Sequence, residues 1–95
     1  MKGYIVCVYK NISNEEKLKE YALKARVAVE SFEGKFLIRG GKSSSKEGEK
    51  SPRTVVIEFP SYDEANYFYN SKEYQDAHSI LEGYAERQHQ TIEGA

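Results

Sequence analysis

From Gly34 to Gln75 the chain reads GKFLIRGG, then KSSSKEGEKSP, then RTVVIEFPSYDEANYFYNSKEYQ, and the order of these three pieces decides the fold. Lys35–Arg39 is a short apolar run that stops at Gly40-Gly41. Lys42–Pro52 is polar throughout, rich in Ser and without periodicity, which predicts a hairpin loop. Arg53–Phe59 is a second run of strand formers, apolar on both parities, and Pro60 ends it. Ser61 and Glu64 then stand at the spacing of a capping box, in which the hydroxyl takes a first-turn amide proton and the carboxylate reaches back. Ala65, Phe68 and Tyr69 follow at helical spacing. Ser71 caps a further helical turn or a kinked continuation, which puts Tyr74, Ala77, His78 and Leu81 on one stripe until Gly83.

Working outward, Lys2–Lys10 (KGYIVCVYK) is β-branched and aromatic and too short for a buried helix, so it reads as a strand. Ser13 and Glu16 again fit a capping box. Leu18, Tyr21, Ala22, Ala25, Ala28, Val29 and Phe32 then recur every three or four residues as a helix stripe, with Gly34 as its left-handed stop. Arg87–Glu93 is a weaker last strand. The order is β-α-β-β-α-β in a single domain spanning residues 1–95, the α+β ferredoxin-like arrangement with a four-stranded antiparallel sheet. Right-handed crossovers put the first and third strands in the middle. Helices cover only one face of such a sheet. The other face presents alternate residues of YIVCVY and VVIEF to water, an apolar patch of the kind that marks an interface. The expected assembly is a homodimer with the two sheets face to face.

Charge excludes some partners. With 14 Lys and Arg against 15 Asp and Glu, the net charge of −1 gives no field for nucleic acid or an anionic membrane. RNA-recognition modules share this strand order, but they need a basic residue, a glycine and exposed aromatics on the third strand. Here that strand is RTVVIEF, with an acid inside it. No run approaches the ~20 apolar residues of a membrane span, and the start of the chain lacks a signal-peptide pattern, which predicts a cytoplasmic protein. Cys7 is the single cysteine and reads as a buried, inert thiol. Cys7, His78 and His89 show no metal-ligand spacing, and no serine sits in a nucleophile elbow.

The segments KGYIVCVYKNI, FLIRGG, RTVVIEFPS, NSKEYQ and the terminal IEG together resemble the family defined as domain of unknown function 1330. That resemblance, over nearly the whole chain, implies a dimeric α/β barrel of two ferredoxin-like subunits. It also implies kinship with a superfamily of small cofactor-independent monooxygenases, muconolactone isomerase-like enzymes and stress or ligand-binding proteins. Lys72 stands where proline is common in the family, and His89 lies in a strand that is usually more apolar. The family has no assigned activity, so fold analogy supplies none.

Among individual residues Glu58 stands out, a carboxylate inside VVIEF on the face of Thr54 and Val56. A buried carboxylate needs a partner, water or a raised pKa. It reads either as a general base in a dimer cavity or as a salt-bridged interface residue. Arg39, at the end of the neighbouring strand, is its expected partner, or a clamp for a ligand's carboxylate or enolate. Tyr67, Tyr74 and His78 are expected to wall a ligand pocket between the sheet and the second helix; the competing reading makes them core and interface residues. The functional expectation is a homodimer that binds or transforms a small organic molecule without a cofactor. The alternative is a non-catalytic structural, stress or interaction protein whose dimer is the functional unit.

Overall fold

A computed structural model describes all 95 residues. The elements run β1 (Gly3–Ile12), α1 (Glu15–Ser31), β2 (Lys35–Arg39), β3 (Thr54–Phe59), α2 (Tyr62–Asn70), α3 (Lys72–Leu81) and β4 (Ala85–Glu93). The four strands form one antiparallel sheet in the order β2-β3-β1-β4, so the two most apolar strands occupy the middle. The fold is ferredoxin-like α+β, and its shortest dimension, 18 Å, is the depth of one helix layer on one sheet.

Strand alternation divides the sheet cleanly. Ile5, Cys7 and Tyr9 of β1 and Val55, Ile57 and Phe59 of β3 are buried under the helices. They meet the α1 stripe of Leu18, Tyr21, Ala25, Ala28 and Val29, and Ala65, Phe68, Tyr74, Ala77 and Leu81 from α2 and α3. Phe68 is the hub of this core, with ring centroids of Phe59 at 5.0 Å, Tyr74 at 4.8 Å and Phe32 at 5.9 Å. Each well-oriented aromatic pair contributes ~1 kcal/mol beyond its burial. On the other face lie Tyr4, Val6, Val8, Thr54, Val56 and Glu58, all only half-buried in the single chain.

Two irregularities matter for what faces inward. In β2, Phe36 pairs with Ile57 but Ile38 pairs with Val56, so Leu37 is an extra residue. This bulge lets Phe36 and Arg39, three apart, share the helix-covered face. In β1 a second shift at Lys10 separates the pair Tyr9–Arg87 from the pair Asn11–Glu86.

Helix ends follow the sequence in part. Ser61 Oγ accepts from the Glu64 amide and Ser71 Oγ from the Tyr74 amide, so Ser71 opens a separate helix. The start of α1 differs from expectation. Asn14 is the cap, accepting from the Lys17 amide at 3.0 Å, whereas Ser13 Oγ is drawn away to donate to the Tyr84 carbonyl at 3.1 Å. The end of α1 differs as well: Glu33, at φ 60°, is the left-handed residue. Gly34 is required for a different reason, since a Cβ there would lie 2.6 Å from Val29 Cγ1 and 2.8 Å from Phe59 Cε1.

Candidate functional site

Arg87 brings a cation onto the helix-covered face of the sheet. It stands on β4 opposite Tyr9 and points under the helices because its parity matches that of Cys7 and Ile5 on β1. Its Nη1 donates to Tyr21 Oη at 3.0 Å and its Nη2 to Tyr74 Oη at 3.3 Å. The two phenol oxygens are themselves 3.0 Å apart and share a hydrogen bond. Nη1 also lies 3.8 Å from Cys7 Sγ, and the guanidinium packs over the rings of Tyr9 and Tyr21, 5.4 and 5.2 Å from their centroids. Four distant segments, β1, α1, α3 and β4, thus converge on one cation.

That cation has no counter-ion. The salt bridges of the chain are Lys17–Glu20, Arg26–Glu30 and Lys72–Asp76, all on exposed helix surfaces. A largely desolvated guanidinium with only phenols and a thiol around it is costly unless something else compensates the charge. Burial opposes the charge on Arg87, but the acidic hydroxyls and thiol around it outweigh burial and hold its pKa above the ordinary value. The neighbours respond to burial first: the Tyr9 hydroxyl is pushed up to about 12, and Tyr21, Tyr74 and Cys7 are all raised, with Arg87 partly countering the shift. At neutral pH these three phenols stay protonated and uncharged.

His89, two residues along the same strand, completes the arrangement. Its ring stands edge-on to Tyr69 at 5.0 Å and to Tyr74 at 6.1 Å, and its Nδ1 is buried without a hydrogen-bond partner. Burial, then the charge of Arg87, then His78 push its pKa down to about 3, so it is a neutral imidazole at physiological pH.

Two cavities meet at this wall. The inner one, of about 40 Å³, lies between the sheet and α1. Its lining includes Arg39, Arg53 and Arg87 and no carboxylate. Arg53 Nε is buried there without a partner. The outer one is an open groove of about 240 Å³ between the end of α3 and β4, lined by Tyr69, His78, Leu81, Glu82 and Ala85 among others. Arg87 and His89 line both.

The residues expected from sequence are scattered over this geometry. Tyr74 lines the inner cavity and His78 the groove. Arg39 is at the inner cavity too, stacked over Phe36 at 4.5 Å. Glu58 is on the opposite face of the sheet, pairing in register with Tyr4 and Lys35 and accepting from Tyr4 Oη at 3.4 Å. The register parts Arg39 from Glu58, since Arg39 pairs with Val55 and Glu58 with Lys35 at the other end of the hairpin; the β2 bulge also turns Arg39 toward the helices while Glu58 faces out. Tyr67 is 61% exposed on the outer side of α2 and lines neither cavity, because α2 already directs Ala65 and Phe68 inward. Arg87 was not singled out from sequence. The available signal was an arginine at the inward parity of the last strand, flanked on that side by Ala85 and His89.

A family model described as a domain of unknown function (DUF1330) matches residues 2–95. The chain belongs to the DUF1330 family. No curated protein matches it. Solved structures show the same fold at low identity. A protein of unknown function from Rhodopseudomonas palustris is 12% identical, with a TM-score of 0.78 over 99% of this DUF1330 chain and 82% of that chain. A dimeric protein of unknown function and ferredoxin-like fold from Bacteroides fragilis is 17% identical, with a TM-score of 0.57 over 98% of this chain and 96% of that one. SnoaB, a cofactor-independent oxygenase from Streptomyces nogalater, is 7% identical, with a TM-score of 0.55 over 99% and 91%. At these identities the likeness is one of fold.

Proposed function

We propose that this DUF1330 protein is a homodimer, paired through the open face of its sheet, and that each subunit binds or transforms a small organic molecule without a cofactor. The site is the groove between α3 and β4, with Arg87 and His89 at its inner wall and His78 at its side. The observation that carries this reading is that the groove ends on a guanidinium with no counter-ion, beside a histidine whose buried Nδ1 has no partner. Groups left uncompensated in that way destabilise a fold, and a bound molecule would use them. The groove, at about 240 Å³, lies just below the ~300 Å³ at which drug-sized pockets begin, which suits a compact metabolite. The dimeric neighbour from Bacteroides fragilis supports the pairing, and the Streptomyces oxygenase is a precedent for this fold working with side chains alone.

A thermal-shift screen of metabolite-sized molecules tests this, run in parallel on wild type and on Ala85→Phe, which fills the groove from β4. Stabilisation of wild type that disappears in Ala85→Phe is the expected result. A competing reading, in which the dimer alone is the functional unit, draws on the small size of the inner cavity. It predicts that no molecule of any charge raises the melting temperature.

A further inference from the structure

We infer that the molecule taken by this groove is an organic monoanion, a carboxylate or an enolate-type oxyanion on a small apolar body, with its oxygens directed at Arg87. The inference rests on the reading of the groove as a small-molecule site and names what that site selects.

Charge is the first argument. Arg39, Arg53 and Arg87 surround the inner cavity without one carboxylate. Glu82 is the single acid lining the groove, and it is exposed, next to His78, with no ion pair to Arg87. A cationic ligand would meet Arg87 with nothing behind it to balance the charge. A neutral one would leave the guanidinium as it is. An anion alone supplies the missing charge.

Donor geometry is the second. Arg87 spends Nη1 and one Nη2 proton on Tyr21, Tyr74 and Cys7, which leaves the planar fork of Nε and Nη2 for a ligand. Since those phenols accept from Arg87 and bond each other, the fork is fixed in orientation before any ligand arrives. Such preorganised forks suit two-oxygen acceptors. The body of the ligand then lies against Leu81, Ala85 and Tyr69, with the edges of His78 and His89 beside it. Those three apolar side chains, in a groove whose other lining is polar, separate an organic acid from inorganic phosphate, which would find only one fork there.

The test uses benzoate, benzamide, benzylammonium and inorganic phosphate as probes of one site, followed through the ring-proton NMR signals of His78 and His89 in the full-length protein. Benzoate should shift both histidines and bind about tenfold or more tightly than benzamide, the difference a charge-assisted pair makes. Benzylammonium should not bind. Arg87→Met should abolish the benzoate effect. It should also leave the protein folded with an equal or higher melting temperature, because it removes an uncompensated charge while Tyr21 and Tyr74 still satisfy each other. Arg87→Lys should retain the charge and bind benzoate about tenfold more weakly for want of the fork. Equal binding of benzoate and benzamide would overturn the anion assignment while leaving the groove a small-molecule site. Phosphate binding as tightly as benzoate would overturn the organic class. No binding of any probe, with histidine signals unmoved, would overturn both readings. Should Arg87→Met fail to fold, the wild-type and Arg87→Lys comparisons still decide the question.

Discussion

Burial of the His89 imidazole, with the Arg87 charge on the same face of β4 and His78 across the groove, pushes its pKa from 6.5 down to about 3. The unfolded chain takes up a proton near pH 6.5 that the folded one refuses until about pH 3. Stability from this group is therefore complete above pH 6.5 and is lost as pH falls toward 3, by about 1.4 kcal/mol per pH unit. His78 is lowered as well, by burial first and then Arg87, and acts in the same sense. Urea unfolding at pH 6.5 and pH 5 should show a loss of about 2 kcal/mol in wild type. His89→Gln should lose clearly less over the same interval, and an unchanged slope in that variant would place the acid sensitivity elsewhere. Little of this was legible in the sequence. Two residues apart on a strand, His89 and Arg87 share a side, but their effect on each other depends on Tyr69, Tyr74 and Cys7, which are distant along the chain and near only in space.

At the scale of elements, the end of α1 shows why strand and helix order was readable while local detail was not. Gly34 in the sequence marked the stop correctly, yet the left-handed residue is Glu33, with Gly34 N donating to the Val29 carbonyl at 2.9 Å. Which of the two takes φ 60° depends on whether a Cβ fits against Val29 and Phe59, and that space is made by β3. Two substitutions follow from this division. Glu33→Gly should stabilise the protein by about 1 kcal/mol by relieving the left-handed strain on a residue with a Cβ. Gly34→Ala should destabilise it by ~1–3 kcal/mol through overpacking against Val29 and Phe59. Urea midpoints of the two variants measure both, and a gain from Gly34→Ala would show that the contact yields easily. The start of α1 has the same lesson, because Ser13 fitted the cap motif but the Tyr84 carbonyl took its hydroxyl and Asn14 became the cap. Periodic apolar patterns survive such competition, since six stripe residues of α1 and Phe32 at its end all face the core or its margin and no single contact can reverse them.

The whole molecule has one protected sheet face and one that is bare in the single chain. Ile38 and Ile92, opposite Val56 and Tyr4 in register, are 47% and 41% exposed there. Around them Val6, Val8 and Val56 form the apolar centre, with Glu58, Lys35, Gln88 and Gln90 as a polar frame. A central apolar field with charged and amide groups about it is how association surfaces are built, and pairing two such faces closes each sheet away from water. In this arrangement Glu58 belongs to the dimer and Arg87 to the ligand, so substitutions at the two positions should separate. Val56→Asp puts a charge at the centre of the proposed interface and should lower the solution mass, by light scattering after size exclusion, from twice the chain to a single chain. Glu58→Ala should weaken association across a tenfold dilution without changing benzoate binding per subunit. Loss of benzoate binding in Glu58→Ala with the dimer intact would move the carboxylate back into a ligand site. That result would require the two sheet faces to enclose a second cavity between subunits, with the ligand on the side of the sheet opposite Arg87.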